Sequence, residues 1–177
     1  MKKSLPFVIS IASVSGGGKT TIVNRLTQQF GNSKALYFDD YDFEGPDDIL
    51  KWVDDGANSS EWNLTPLLKD LKSLLEEPLD YIIMDFPFAY QHDQISSFID
   101  LAVFIDTPLD LALARRMKRD FAESSAAEIL LQLEHYAHKG RRAYLEMLHT
   151  IKPNSDVEID GALSIDAITD QLLKQGR

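Results

Sequence analysis

Short, continuous apolar runs alternate along this chain with longer stretches in which apolar residues recur every three or four positions. The first run, Phe7-Val-Ile-Ser-Ile-Ala12, reads as a strand buried on both faces. A helix over about Lys19 to Phe30 follows and is stopped by Gly31-Asn32. Ala35-Leu-Tyr-Phe38 reads as a short strand delivering the acidic cluster Asp39-Asp-Tyr-Asp42, and Gly45-Pro-Asp-Asp48 as a turn that starts a helix through Ile49 to Val53. Leu64, Leu67, Leu68, Leu71, Leu74 and Leu75 fall at helical spacing and predict a helix from about Leu64 to Glu76. Tyr81-Ile-Ile-Met84 is a third buried strand ending at Asp85, and Leu101-Ala-Val-Phe-Ile105 a fourth, ending in Asp106-Thr-Pro108. After it come a helix over Leu109 to Asp120, a long amphipathic stretch from about Ala126 to Leu148, a fifth strand at Val157-Glu-Ile159, and a helix from Ile165 to Lys174.

Strands that alternate with helices imply crossover connections, hence a parallel sheet with helices on both faces: an α/β fold. Such sheets bind ligands beyond the carboxyl ends of their strands, which singles out the residues after Ala12, Phe38 and Met84. The chain shows no internal repeat, and its most linker-like stretch, Ala57-Asn-Ser-Ser60, is too short to separate domains. A single domain over residues 1–177 is expected.

Composition narrows the partners. With 18 Lys and Arg against 28 Asp and Glu, the formal net charge of −10 disfavours nucleic acid and anionic membrane surfaces, while a local site can still take a nucleotide. There is no cysteine, so thiolate metal sites, thiol nucleophiles and disulfides are excluded. The opening Met1-Lys-Lys-Ser4 is basic, but the apolar stretch after it is short and leads straight into the glycine-rich segment, so removing it as a signal would destroy the first strand. No run has the length of a membrane span, and the sequence reads as a soluble cytoplasmic protein.

The chemistry concentrates after the first strand, in Ser13-Val-Ser-Gly-Gly-Gly-Lys-Thr-Thr21. Binding a triphosphate needs inward-turned backbone N–H groups, a lysine that reaches the outer phosphates and a hydroxyl for Mg²⁺. Gly16, Gly17, Gly18, Lys19 and Thr20 supply these in order, flanked by Ser15 and Thr21, and the following helix points its N-terminus at the anion. The usual G-x-x-x-x-G-K-[ST] pattern has one departure, Ser13 in place of its first glycine.

Asp85, closing a buried strand, sits where a carboxylate can hold Mg²⁺ together with Thr20. Transfer of a phosphoryl group to a hydroxyl also needs a carboxylate near the acceptor, and Asp39, Asp40 and Asp42 are the candidates. In an extended segment Asp39 and Asp40 would point to different sides. Arg115, Arg116 and Arg119 can neutralise a transferring phosphoryl group; Arg115 and Arg119 share a helix face that Arg116 does not. Arg141 and Arg142 are weaker candidates of the same kind. The four histidines show no metal-ligand spacing, and Trp52 and Trp62 suit core packing better than base stacking. A GTPase switch would need an Asn-Lys-x-Asp guanine reader, which is absent, and a glycine at position 88, which is Phe.

Together, the phosphate loop, Asp39-Asp-Tyr-Asp42, Val103-Phe-Ile-Asp-Thr-Pro108 and Arg115-Arg-x-x-Arg-Asp120 resemble the uridine kinase and phosphoribulokinase superfamily over most of the chain. Tyr136 in the long helix and Ser155-Asp-Val-Glu-Ile-Asp160 before the last helix extend the likeness. The resemblance implies a P-loop NTPase three-layer sandwich with a five-stranded parallel sheet and a helical lid at about residues 115–140. It implies ATP and Mg²⁺ as cofactors, Asp39 as general base, Asp85 in place of a glutamate at the third strand end, and Arg115, Arg116 and Arg119 as lid arginines. Asp40 and Tyr41 fall in the substrate segment. The reaction implied is ATP-dependent phosphoryl transfer to a hydroxyl of a small molecule, with a nucleoside as the first candidate acceptor. Two segments differ: Phe121 to Glu128 is acidic and small where uridine kinases carry a basic lid stretch, and the region of Gly45 to Pro66 has its own pattern. A kinase of another metabolite, or an ATP-binding sensor without an acceptor, are the alternatives.

Overall fold

The computed structural model describes residues 5–176, so the Met1 to Ser4 stretch weighed above as a leader lies outside the described residues. Strands β1 (Phe7–Ala12), β2 (Ser33–Tyr37), β3 (Tyr81–Asp85), β4 (Leu101–Asp106) and β5 (Val157–Asp160) form one sheet in the order β2-β3-β1-β4-β5. Every pairing is parallel, as crossover connections require. The helices are α1 (Lys19–Gln29), α2 (Ile49–Asp54), α3 (Thr65–Leu75), α4 (Asp93–Ser96), α5 (Leu109–Asp120), α6 (Ala126–His135), α7 (Arg141–Thr150) and α8 (Ile165–Leu173).

Side chains alternate across a strand, so each continuous apolar run feeds two cores. Ile9, Ile11, Ile83, Val103, Ile105 and Ile159 pack with α1 and α8 through Ile22, Leu26, Ile168 and Leu172. Val8, Ala12, Ile82, Met84, Ala102 and Phe104 face the other way and meet Leu64, Leu67 and Leu71 beside α3. The result is three layers, an α/β P-loop NTPase fold with helices on both faces of a five-stranded parallel sheet.

A third, smaller core sits at the carboxyl end of the sheet, where Val14 and Ala112 meet Tyr136 and Tyr144. It explains a departure from the sequence pattern. The amphipathic stretch from Ala126 to Leu148 is not one helix: α6 passes through a wide turn at Tyr136–Gly140 before α7 begins. On a regular α-helix residues eight apart point about 80° apart, whereas a wide turn that absorbs one residue brings them within about 20°. Tyr136 and Tyr144 thereby pack edge to face, with ring centroids 5.3 Å apart and planes at 69°. Ser125 and Glu128 start α6 with a reciprocal capping box. Short α4 was not foreseen, because four residues carry no usable periodicity.

β2 stops at Tyr37, earlier than its apolar pattern suggests, and Phe38–Asp40 forms a tight helical turn closed by the Tyr41 N–H on the Phe38 carbonyl at 3.3 Å. Asp39 and Asp40 therefore do not alternate as strand residues would. The two still diverge, because successive residues of such a turn point about 120° apart.

Candidate active site

The loop after β1 is shaped by what its glycines allow. Gly16 and Gly18 take φ of +80° and +99°, a region that residues with a Cβ avoid. A Cβ on Gly16 would lie 2.1 Å from the Ala112 carbonyl oxygen, so helix α5 presses directly on the loop. The departure at Ser13 is explained by Gly17: a Cβ there would sit 2.5 Å from the Ser13 hydroxyl oxygen, which already occupies that space. Ser13 is buried and donates to the Val14 carbonyl, and the Gly17 N–H closes the turn on that same carbonyl at 2.9 Å.

α1 starts at Lys19 with Gly18 as its cap. Lys19 Nζ lies 3.8 Å from one oxygen of Asp85, and Thr20 donates to the other at 2.6 Å. β1, β2 and β3 end level, with Ile11 and Tyr37 both in register with Asp85, which is why loop and carboxylate meet. Asp85 is 4% exposed. Burial pushes its carboxyl above the ordinary value, the Lys19 charge and Thr20 hydrogen bond oppose this, and the Asp39 charge adds to the rise. Asp39 and Asp40 are solvent-exposed two and three residues beyond Tyr37. Tyr37 itself is bonded to Asn24 on α1, and burial with the charges of Asp85 and Asp40 raises its phenol.

The spacing argument for the arginines is reflected in their placement. Arg115 and Arg119 line a cavity of about 510 Å³ above the phosphate loop, together with residues 16–22 and the turn after β5. Arg115 donates to the Gly161 carbonyl at 3.1 Å, and Arg119 forks onto Asp120 at 2.6 and 3.0 Å while feeling the Asp39 charge. Arg116, grouped above with the lid arginines, points elsewhere: its Nη1 reaches the Tyr144 hydroxyl at 3.4 Å and its Nε lies 3.7 Å from Asp120. Tyr41, assigned to the substrate, donates to Asp70 on α3 at 2.8 Å, and burial together with that bond raises its phenol. Ser15 is half-buried in the loop and Thr21 lines the cavity rim. Arg142 is paired with Asp54 on α2.

Gly161 and Leu163, between β5 and α8, and Ile165 and Ile168 on α8 line the same cavity and were not singled out from the sequence. The signal was present: Asp160-Gly161 follows a strand end, the place where the open-sheet rule directs attention. Trp52 and Trp62 lie in an aromatic cluster with Phe38 and Phe88, where packing accounts for them. Among the described residues no group of three or more His, Cys, Asp and Glu is placed to hold a metal, and no helix is long and apolar enough to cross a membrane. The donor set at Thr20 and Asp85, two hard oxygens beside the glycine-rich loop, fits Mg²⁺, which takes one or two protein oxygens and completes its shell with phosphate and water.

No protein-family model matches the sequence. Among curated proteins, the chain is 26% identical to the uridine kinase of Leuconostoc citreum (strain KM20), covering 96% of this chain and 98% of that one. It is 25% identical to the uridine kinase of Borrelia duttonii (strain Ly), covering 86% and 85%. Among solved structures, it superposes on a sugar kinase from Janibacter sp. HTCC2649 with a TM-score of 0.58 at 17% identity, covering 96% of this chain and 93% of that one. A gluconokinase from Sinorhizobium meliloti 1021 gives 0.55 at 15% identity, covering 96% and 91%. The chain has the P-loop α/β fold of these structures and resembles uridine kinases over most of its length.

Proposed function

We propose that this protein is an ATP-dependent kinase that phosphorylates a hydroxyl of a small molecule, with a nucleoside as the first acceptor to test. The observation that carries this reading is the convergence of Lys19 and Thr20 on buried Asp85, with Asp39 at the neighbouring strand end. Mg·ATP, when bound, supplies the phosphoryl group and the divalent charge that Thr20 and Asp85 would hold. The loop amides and Lys19 bind the phosphates, and Gly161 and Leu163 offer the nucleoside a wall at the other end of the cavity. Asp39 orients the acceptor hydroxyl and takes its proton, while Arg115 and Arg119 offset the negative charge that develops. Arg116 and Tyr41 take secondary places, Arg116 through Tyr144 and Tyr41 through Asp70.

In this reading the chain works as one domain, and the segment at about residues 115–140 closes over the site. α6 has no fully buried side chain, and Leu130 and Leu131 are each 61% exposed, leaving apolar surface for closure to cover. Closing would exclude water as a competing acceptor. The similarity to uridine kinases supports kinase chemistry and puts nucleosides first; an acidic 121–128 segment leaves another hydroxylated metabolite as the second choice.

The test is ADP release from Mg·ATP across a panel of nucleosides, sugars and coenzyme precursors, with Asp39→Asn alongside. One acceptor should stimulate release, and Asp39→Asn should bind nucleotide normally while losing about 10²-fold or more in turnover. ATP binding with no acceptor-dependent release would favour a sensor. Full turnover in Asp39→Asn would remove Asp39 as the base and move the role to Asp40.

A further inference from the structure

We propose that Thr107 is a positioning residue for nucleotide binding, its hydroxyl fixing the peptide plane between Gly17 and Gly18 in the phosphate loop. The inference rests on the nucleotide-binding reading above and extends it to a residue outside the loop. Thr107 follows β4 directly and is 2% exposed. Its Oγ1 donates to the Gly17 carbonyl at 2.8 Å, a buried contact between residues 90 apart in the chain.

The consequence follows from peptide geometry. The carbonyl of Gly17 and the N–H of Gly18 belong to one trans peptide plane and point in opposite directions. Holding the carbonyl toward Thr107 turns the Gly18 N–H to the side away from Thr107, and Gly18 lines the cavity while Thr107 does not. A glycine pair has almost no barrier of its own against rotating this plane, since neither residue has a Cβ. With the plane reversed, a carbonyl oxygen would face the phosphates where a donor is needed. Thr107 supplies the restraint that three consecutive glycines lack.

The same side chain also sets the opposite wall. A Cβ on Gly161 would lie 1.9 Å from Thr107 Oγ1, so the turn after β5 rests on this hydroxyl. The Gly161 N–H donates to the Asp106 carbonyl at 3.0 Å, and its carbonyl accepts from Arg115 at 3.1 Å. One buried threonine therefore sits where the phosphate loop, the end of β4 and the β5–α8 turn meet.

A satisfied buried hydroxyl with only a structural role would stabilise the fold without touching affinity, and the experiment separates the two. Mg·ATP is titrated calorimetrically into wild type, Thr107→Val, Thr107→Ser and Ser59→Ala, and each protein is melted in parallel. Ser59 is the control: it is buried and donates to the Gln91 carbonyl at 2.6 Å, outside the cavity. Thr107→Val keeps the shape and removes the donor, and its Kd should rise about tenfold or more. Thr107→Ser should stay within about threefold of wild type, and Ser59→Ala should melt earlier with its Kd unchanged. A Thr107→Val protein that binds like wild type, or an equal loss of affinity in Ser59→Ala, overturns the proposal. If Thr107→Val does not fold, Thr107→Ala is judged by the same criterion. Wild type that binds no Mg·ATP overturns the nucleotide reading and this proposal together, whereas binding by wild type without a Thr107 effect overturns this proposal alone.

Discussion

Substituting two glycines of the phosphate loop, one at a time, should separate the loop's support of the fold from its approach to the ligand. In Gly16→Ala the new Cβ would be 2.1 Å from the Ala112 carbonyl oxygen and 3.1 Å from the Arg116 Cβ. Neither can rotate aside, because one is helix backbone and the other the first atom of a side chain, so α5 must shift. Left-handed backbone strain costs about 1–2 kcal/mol and forced overpacking about 1–3 kcal/mol, together about 2–5 kcal/mol. At about 2–4 °C per kcal/mol for a chain of this size, melting should fall by about 4–20 °C. Gly18→Ala has φ of +99° to accommodate but no atom within 4 Å of its Cβ, so only the strain remains. Its melting should fall by about 2–8 °C. Its methyl group, however, enters the space the phosphates must occupy, and affinity for Mg·ATP should drop more than about tenfold. Melting without nucleotide and calorimetric titration with Mg·ATP read the two quantities separately. A Gly16→Ala protein that melts within about 2 °C of wild type, or a Gly18→Ala protein less stable than Gly16→Ala, would rule out the clash of Gly16 with α5 as the dominant cost.

Further outcomes follow from the same geometry. Lys19→Ala should weaken Mg·ATP binding by calorimetry, whereas Asp39→Asn should preserve binding and lower phosphoryl transfer by about 10²-fold. Asp85 should leave a signature in the pH dependence of the metal-free protein. Burial raises its native carboxyl above the unfolded value, so its contribution to stability is complete below the unfolded pKa and is lost as pH rises through the native one. Asp85→Asn should therefore flatten the decline in melting temperature as pH rises above the ordinary carboxylate range, and an unchanged slope would remove this carboxyl as its source. Replacing Leu130 and Leu131 together by serine should change stability by about 1 kcal/mol or less, because both are largely exposed. The same variant should hydrolyse ATP without acceptor faster than wild type; unchanged hydrolysis would argue against closure through α6.

Much of the site was legible because its parts are local. Gly16 to Thr20 lie within five residues, and their backbone requirements are written in glycine, lysine and hydroxyl types that few other loops need together. The ends of β1 and β3 were equally clear from continuous apolar runs broken by polar residues, which placed Asp85 near the loop before any contact was known. The division of Arg115 and Arg119 from Arg116 followed from helical spacing, and the cavity lining agrees with it. What spacing could not supply was the partner of Arg116, a tyrosine 28 positions away that a wide turn rotates into reach.

The element order, the parallel sheet and the place of the glycine-rich loop could be read from the chain alone, since periodicity, glycine placement and chain connectivity act over short distances. The folded loop shows why Ser13 can stand in place of a glycine: the space its side chain fills is left by Gly17. The tertiary structure alone placed Asp39 in a helical turn, joined Gly161 and Leu163 to the cavity, and brought Thr107 onto the Gly17 carbonyl. The last two join segments far apart in the chain, Thr107 and Gly17 across 90 residues. Their reason is the packing of layers and the pairing of buried polar groups, which linear spacing does not encode.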